Sequence, residues 1–295
     1  MKLDKVILGS NPLSGVSHFS SRDGREHLRV TKVDTIIEVI NTSLAAGATA
    51  LTLSPMPALY SALAKMKEES DTGFGIYLIL PDMTRLRYAM LNGGTVAVAK
   101  EFLFSGGLGQ VFSTATKGAW AVLSSDYSQL MAAYVKHEVD RLIDILPKNA
   151  EIKCILAHEQ VTDLAISLDT RDVVSRFVEV ARKKNITPGF VTRNYPALVS
   201  YLTSLRFSLH DVVIMTPFNK LGFQMSPSRQ SCESTLSNNP DSLTVGISIL
   251  AGGQLNLDES ISYLETLSNL KSVAVGLSKM EHVHETIPKL VELLS

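Results

Sequence analysis

The chain is poor in the residues that would mark it for an oxidising compartment, a membrane or a nucleic-acid partner. Only two cysteines, Cys154 and Cys232, occur in 295 residues; they cannot build a disulfide framework and form no CxxC pair. No run of about 18 consecutive apolar residues occurs, so no membrane-spanning helix is expected. The amino terminus, MKLDKVILGSNPL, turns too early to read as a secretory signal. A basic excess is missing as well: 28 Lys and Arg face 29 Asp and Glu, for a formal net charge of −1. Without a basic field there is little to attract a phosphate backbone, and no nucleic-acid partner is expected. Metal-ligand spacing is also lacking. His18, His158 and Glu159 come nearest to a ligand set, but no HxH or HExxH pair lies near a strand end. His282 and His284 fall in a helical stretch, where residues two apart point about 200° from each other. No metal is expected. These absences leave a cytoplasmic protein acting on a small molecule, with a homo-oligomer possible.

What is present is apolar. Hydrophobic residues make up 45% of the chain and charged ones 19%, enough to bury a parallel sheet on both faces. Short runs rich in Val, Ile and Leu alternate with longer stretches of helical period, the pattern of βα units. The strand candidates are Val6–Gly9, Thr49–Leu53, Gly75–Leu80, Ile152–Ala157, Gly189–Thr192, Val212–Thr216, Thr244–Leu250 and Ser272–Val275. Eight strands close a barrel, so the expected fold is α/β, a (β/α)8 TIM barrel, as a single domain over 1–295. A ninth run, Trp120–Leu123, competes for a place.

Helices are expected from Val33 to Ala46, Tyr127 to Leu146, Arg171 to Lys184, from Asp258, and from about Lys279 to the end. The first carries Ile36, Ile37, Val39, Ile40 and Leu44 as an apolar stripe and stops at Gly47. Asp169, Thr170 and Asp172 supply cap or acidic residues at the start of the third. The interval between Leu80 and Ile152 is far longer than a crossover needs. Residues from about 83 to 125 therefore read as a helical insertion after strand three, either a lid or an extra packing or oligomer-contact helix.

A barrel carries function in the loops after its strands. After strand one come Asn11 and His18, within a turn rich in Gly and Pro; after strand four, His158, Glu159 and Asp163. A histidine at a strand end can polarise a carbonyl or act as acid or base. Arg193 follows strand five and would hold a carboxylate or phosphate, or else pair with Glu159 or Asp163. Asn219 follows strand six and would orient a carbonyl or amide, or simply shape a turn. Gly252 and Gly253 follow strand seven; Gly276, Ser278 and Lys279 follow strand eight. Backbone N–H groups at that corner would receive a phosphate, or the glycines merely permit tight turns and Ser278 caps a helix.

The order of these loops resembles the aldo/keto reductase barrel, the NAD(P)-linked oxidoreductase superfamily, most closely from Ile152 to the end. Ile155-Leu156-Ala157-His158 is similar to the segment bearing that family's catalytic histidine. Val275-Gly276-Leu277-Ser278, with Met280-Glu281-His282-Val283, resembles its last strand and the cofactor-contacting start of its last helix. The segment from Gly9 to His18 also looks like the opening of an uncharacterised reductase-like group. The resemblance implies NAD(P), places the tyrosine proton donor at Tyr60, and makes His158 catalytic. It departs at two positions: Pro55 stands where an aspartate is expected, and strand three ends Leu80-Pro81-Asp82, without the expected lysine. The implied function is an enzyme acting on a small carbonyl or phosphorylated metabolite, with an incomplete reductase tetrad. Two alternatives stand beside it: a lyase or isomerase using His158 and Glu159 as acid and base, and a non-catalytic ligand-binding barrel.

Overall fold

The computed structural model describes residues 1–14, 32–69, 73–83, 86–87, 91–94 and 127–295. His18, the run Trp120–Leu123 and most of the expected insertion lie outside them. Eight parallel strands close into one barrel in sequence order. They are β1 (Val6–Gly9), β2 (Ala50–Leu53), β3 (Gly75–Leu80), β4 (Glu151–Ala157), β5 (Thr187–Val191), β6 (Val213–Pro217), β7 (Leu243–Ile247) and β8 (Val273–Gly276). Each expected strand overlaps an observed one, and the barrel shuts where β1 pairs with β8 through Val6↔Val273 to Gly9↔Gly276.

Among the described residues the helices are α1 (Val33–Ala45), α2 (Pro57–Glu69), α3 (Tyr127–Ile145), α4 (Glu159–Ser167), α5 (Arg171–Lys183), α6 (Tyr195–Ser204), α7 (Arg229–Asn238), α8 (Leu257–Leu264) and α9 (Met280–Leu293). Two details of capping differ from expectation. Thr170 stands at the N-cap of α5 without a side-chain cap bond, and its hydroxyl donates instead to Ala165 O. Asn256, not Asp258, opens α8, in a reciprocal capping box with Glu259.

The period-two alternation of the strands builds two cores. Inside the barrel, Ile7, Ala50, Tyr77, Cys154, Leu156, Val191, Val213, Met215, Val245 and Ala274 pack together, at least one from every strand. Their neighbours in sequence face the helices. There α5 buries Val174, Phe177 and Val178, and Phe177 meets Phe190 of β5 at a ring-centroid distance of 5.5 Å. Each such side chain contributes about 1.5–3 kcal/mol by leaving water.

The amino-terminal ends of the strands are sealed by a polar cluster. Asp4, buried just before β1, accepts from Lys153 Nζ at 2.9 Å, Tyr77 Oη at 2.9 Å and Thr49 Oγ1 at 2.8 Å. Ser272 Oγ donates to its carbonyl. A buried charge persists only when paired and hydrogen-bonded, and here four segments of the chain supply the partners. The opposite end, where the loops after the strands gather, is the candidate site.

Candidate active site at the strand ends

Alternation along β4 turns Cys154 and Leu156 inward, which makes residue 158 the next inward position. Along β5, Val191 is inward and residue 193 follows. The β4–β5 register pairs Ala157 with Phe190, so His158 stands level with Val191 and Arg193 one pleat above.

His158 is also where the strand becomes a helix. Its backbone is extended (φ −60°, ψ 148°) and it is the N-cap of α4. Its N–H donates to Leu80 O at 2.7 Å, and its carbonyl receives Thr162 N–H. The imidazole Nδ1 accepts the Gln160 N–H at 3.2 Å. A nitrogen that accepts carries no proton, so the neutral ring bears its hydrogen on Nε2. Burial holds the histidine below its ordinary value near 6.5; Glu159 opposes that shift and Arg193 adds to it. Near neutral pH His158 is an uncharged hydrogen-bond donor.

Helix α4 then fastens the β5 loop at two points. Glu159 Oε1 accepts from Arg193 Nη2 at 2.5 Å. One turn on, the two oxygens of Asp163 accept Thr192 Oγ1 and, at 3.3 Å, the Arg193 N–H. Residues four apart share a helix face, so both carboxylates address the same loop. Burial is the main cause that raises Asp163 above the usual carboxylate value. Ser226 N–H donates to Arg193 O at 2.8 Å from the other side. The group that converges here is thus His158, Glu159, Asp163, Thr192 and Arg193. Glu159 and Asp163 were both candidates for pairing with Arg193; Thr192, a buried threonine before a charged residue, gives no sign of its role in sequence.

Other expected residues do different work. Tyr60 does not join this group: it is buried, and its hydroxyl donates to Glu138 Oε2 at 3.1 Å between α2 and α3. Burial and the Glu138 charge raise its pKa, the reverse of what a proton donor needs. Arg141 lies 4.6 Å from its ring centroid. Asn219 is fully buried. Its amide donates to Phe223 O at 2.9 Å and accepts Phe223 N–H at 2.8 Å, which closes its own loop. Asn11 is exposed at the start of the short turn Pro12–Ser14, beyond β1. Ser10, just before it, donates its N–H to Thr52 Oγ1 at 2.9 Å.

The glycine corner is narrower than expected. Gly252 and Gly253 have φ of 70° and 91°, left-handed backbone that favours glycine. The Ala251 and Gly253 N–H groups donate to Ser248 O and Leu250 O, each at 2.8 Å, so these two are spent within the loop. At Gly276 a Cβ would stand 2.8 Å from Pro12 Cδ and Cγ; this glycine admits the Pro12 turn, whatever else it admits. Ser278 is not the cap of α9. That position belongs to Lys279, extended and without a side-chain cap bond.

Among the described residues no three His, Cys, Asp or Glu side chains come together as a metal site, and no helix is long and apolar enough to cross a membrane. An open depression of about 430 Å³ lies by the amino-terminal ends of β4 and β5, lined by Ile143, Lys148, Glu151 and Lys184 among others. It is at the wrong end of the barrel for chemistry at the strand ends.

Set beside solved structures, the barrel superposes on two candidate aldo-keto reductases from Pseudomonas aeruginosa. One has a TM-score of 0.60 at 11% identity, over 98% of this chain and 90% of that one. The other has a TM-score of 0.60 at 13% identity, over 98% and 91%. The likeness is one of fold. A candidate sugar phosphate isomerase/epimerase from Anabaena variabilis, at 7% identity over 99% of this chain and 88% of its own, reaches a TM-score of only 0.46 and supports no argument. In sequence, no family model and no curated protein matches the chain.

Proposed function

We propose that the chain is an enzyme of aldo/keto reductase-like ancestry that acts on a small carbonyl or phosphorylated metabolite. In this reading His158 Nε2–H donates to the carbonyl oxygen. The observation that carries it is the fixed tautomer: the Gln160 N–H occupies Nδ1, and burial keeps the ring neutral. A donor held in place before the reaction stabilises the charge that grows on the oxygen without reorganising. Arg193, held by Glu159 and by the Asp163 bond to its N–H, stands on the same side with donors of its own.

The cofactor of this reading is NAD(P), which in its reduced form would supply a hydride to the carbonyl carbon, the proton of the product alcohol coming from solvent. Its phosphate would sit at the start of α9, whose N-cap Lys279 makes no side-chain cap bond, beside Ser278. The helix dipole favours an anion there. The loop holding Gly252 and Gly253 contributes shape rather than the Ala251 and Gly253 donors, which are spent.

A second reading draws on one observation: Tyr60 is committed to Glu138. The tetrad's proton donor is then absent from the site, and His158 would serve proton transfer next to a carbonyl, as in a lyase or isomerase. One experiment divides the two. NADPH and NADH are titrated by fluorescence, and turnover of a carbonyl panel is followed at the nicotinamide absorbance. Saturable binding with turnover that falls about 10²–10³-fold in His158→Ala is the expected result, the loss typical of removing one such donor. No binding at millimolar cofactor sinks the oxidoreductase reading and promotes the second.

A further inference from the structure

The guanidinium of Arg193 is only partly used. It presents five N–H donors, and among the described residues only Nη2 has an acceptor, Glu159 Oε1. Nε is buried without a partner. A buried donor left unmatched costs stability; Nε is closed to solvent, so the donors a ligand can reach on this part-exposed side chain are those of the Nη edge. The rest of the residue is held firmly. Its N–H donates to Asp163 Oδ2 at 3.3 Å and its carbonyl accepts Ser226 N–H at 2.8 Å, while the side chain stays 40% exposed. A charged fork on an anchored backbone, with open donors, is a receptor for a planar anion. Its neighbour matters equally. Strands β4 and β5 are adjacent, about 4.8 Å apart, so Arg193 rises beside the neutral donor His158.

We propose that the substrate of this site carries a carboxylate next to its carbonyl, as in a 2-oxo acid, the carboxylate seated on the Nη edge of Arg193 and the carbonyl oxygen on His158 Nε2. This rests on the carbonyl-polarising reading above and names the class of molecule it takes. Glu159 is then an internal counterion. It neutralises the guanidinium in the free protein and competes with the incoming carboxylate for Nη2. Two consequences follow that a merely structural ion pair does not share: neutral carbonyls bind poorly, and removing the Glu159 charge tightens the acid.

The test uses calorimetry on the full chain with 2-oxobutyrate and, as its uncharged counterpart, butanone. Wild type, Arg193→Gln, Arg193→Lys and Glu159→Gln are compared, each checked for folding by its thermal midpoint. Wild type should bind 2-oxobutyrate at millimolar concentration at least tenfold more tightly than butanone. Arg193→Gln should erase that preference, Arg193→Lys keep part of it, and Glu159→Gln raise affinity for the acid severalfold. Equal affinity for the two probes, binding of neither, or an undiminished preference in Arg193→Gln overturns the proposal. Should Arg193→Gln fail to fold, acid binding in Glu159→Gln that is unchanged or weaker overturns it alone. The reductase reading fails separately. Acid preference without nicotinamide turnover removes that reading and leaves this one, whereas turnover of neutral carbonyls that ignores Arg193→Gln does the reverse.

Discussion

At His158 the position of one proton sets what the side chain can do. Its Nδ1 is spent on Gln160 N–H, so protonation would both break that bond and place a charge in a half-buried site. Because the folded value lies below the ordinary 6.5 and burial is the main cause, the unfolded chain takes up the proton first as pH falls. The stabilisation is therefore present above about pH 6.5 and is lost as pH drops through the folded value. Chemical denaturation of wild type at successive pH values should show stability falling below that point, and His158→Gln should show a flatter curve. A slope that persists unchanged in the variant would assign the effect to another group. Asn219 makes a different case. Replacing it with Ala removes two hydrogen bonds, to Phe223 N–H and C=O, and should cost about 1–3 kcal/mol, read as a lower denaturation midpoint.

At the scale of elements, α4 is a brace. Its N-cap is His158, its first residue Glu159 grips the Arg193 head, and its fifth residue Asp163 grips the Arg193 backbone. The pair α2–α3 is held elsewhere, by Tyr60 and Glu138. Tyr60→Phe should leave carbonyl turnover within about twofold and lower stability by about 1–3 kcal/mol, since buried Glu138 loses the Tyr60 hydrogen bond while Arg141 stays 3.8 Å away. A hundredfold fall in turnover at unchanged stability would return Tyr60 to the chemistry. The strands were legible in sequence because a fully buried parallel strand is a short, dense run of Val, Ile and Leu, although Trp120–Leu123 gave a ninth run of the same kind. Boundaries slipped by one to three residues: Thr49 and Thr192 lie just outside β2 and β5 yet still bond Val6 O and Met215 O of the neighbouring strands, and β7 stops at Ile247, three residues short of Leu250. His158 and Arg193 could be placed together, since both follow strands that are neighbours in order. Tyr60 and Asn219 could not be told from site residues, because what decides them is a partner far away in sequence, Glu138, or a backbone turn, at Phe223, that no residue pattern announces.

For the whole molecule, the two ends of the barrel divide the labour. The strand ends carry the hydrogen-bonded polar group of His158, Glu159, Asp163, Thr192 and Arg193, partly exposed at Arg193. The starts are closed by Asp4, Tyr77, Lys153 and Thr49 around a buried charge. Asp4→Asn leaves Lys153 half-buried with its main partner gone, and breaking such a pair costs about 3–5 kcal/mol. Ligand binding per folded molecule should not change, since the cluster lies at the other mouth. A changed affinity at full folding would mean that the two ends are coupled.

The seam between β1 and β8 has a consequence in time. Of the two edges of β1, one is matched by β2 and the other only by β8, through Val6↔Val273 to Gly9↔Gly276. On the ribosome the first strand must therefore wait with one row of amides and carbonyls open until almost the entire chain has been made. At about 5–20 residues per second that wait lasts tens of seconds. An unpaired, apolar strand edge invites pairing with another nascent chain. The step that completes the barrel is also the one most exposed to aggregation, and a chaperone that shields the edge of β1 would raise the yield more than one acting on the helices.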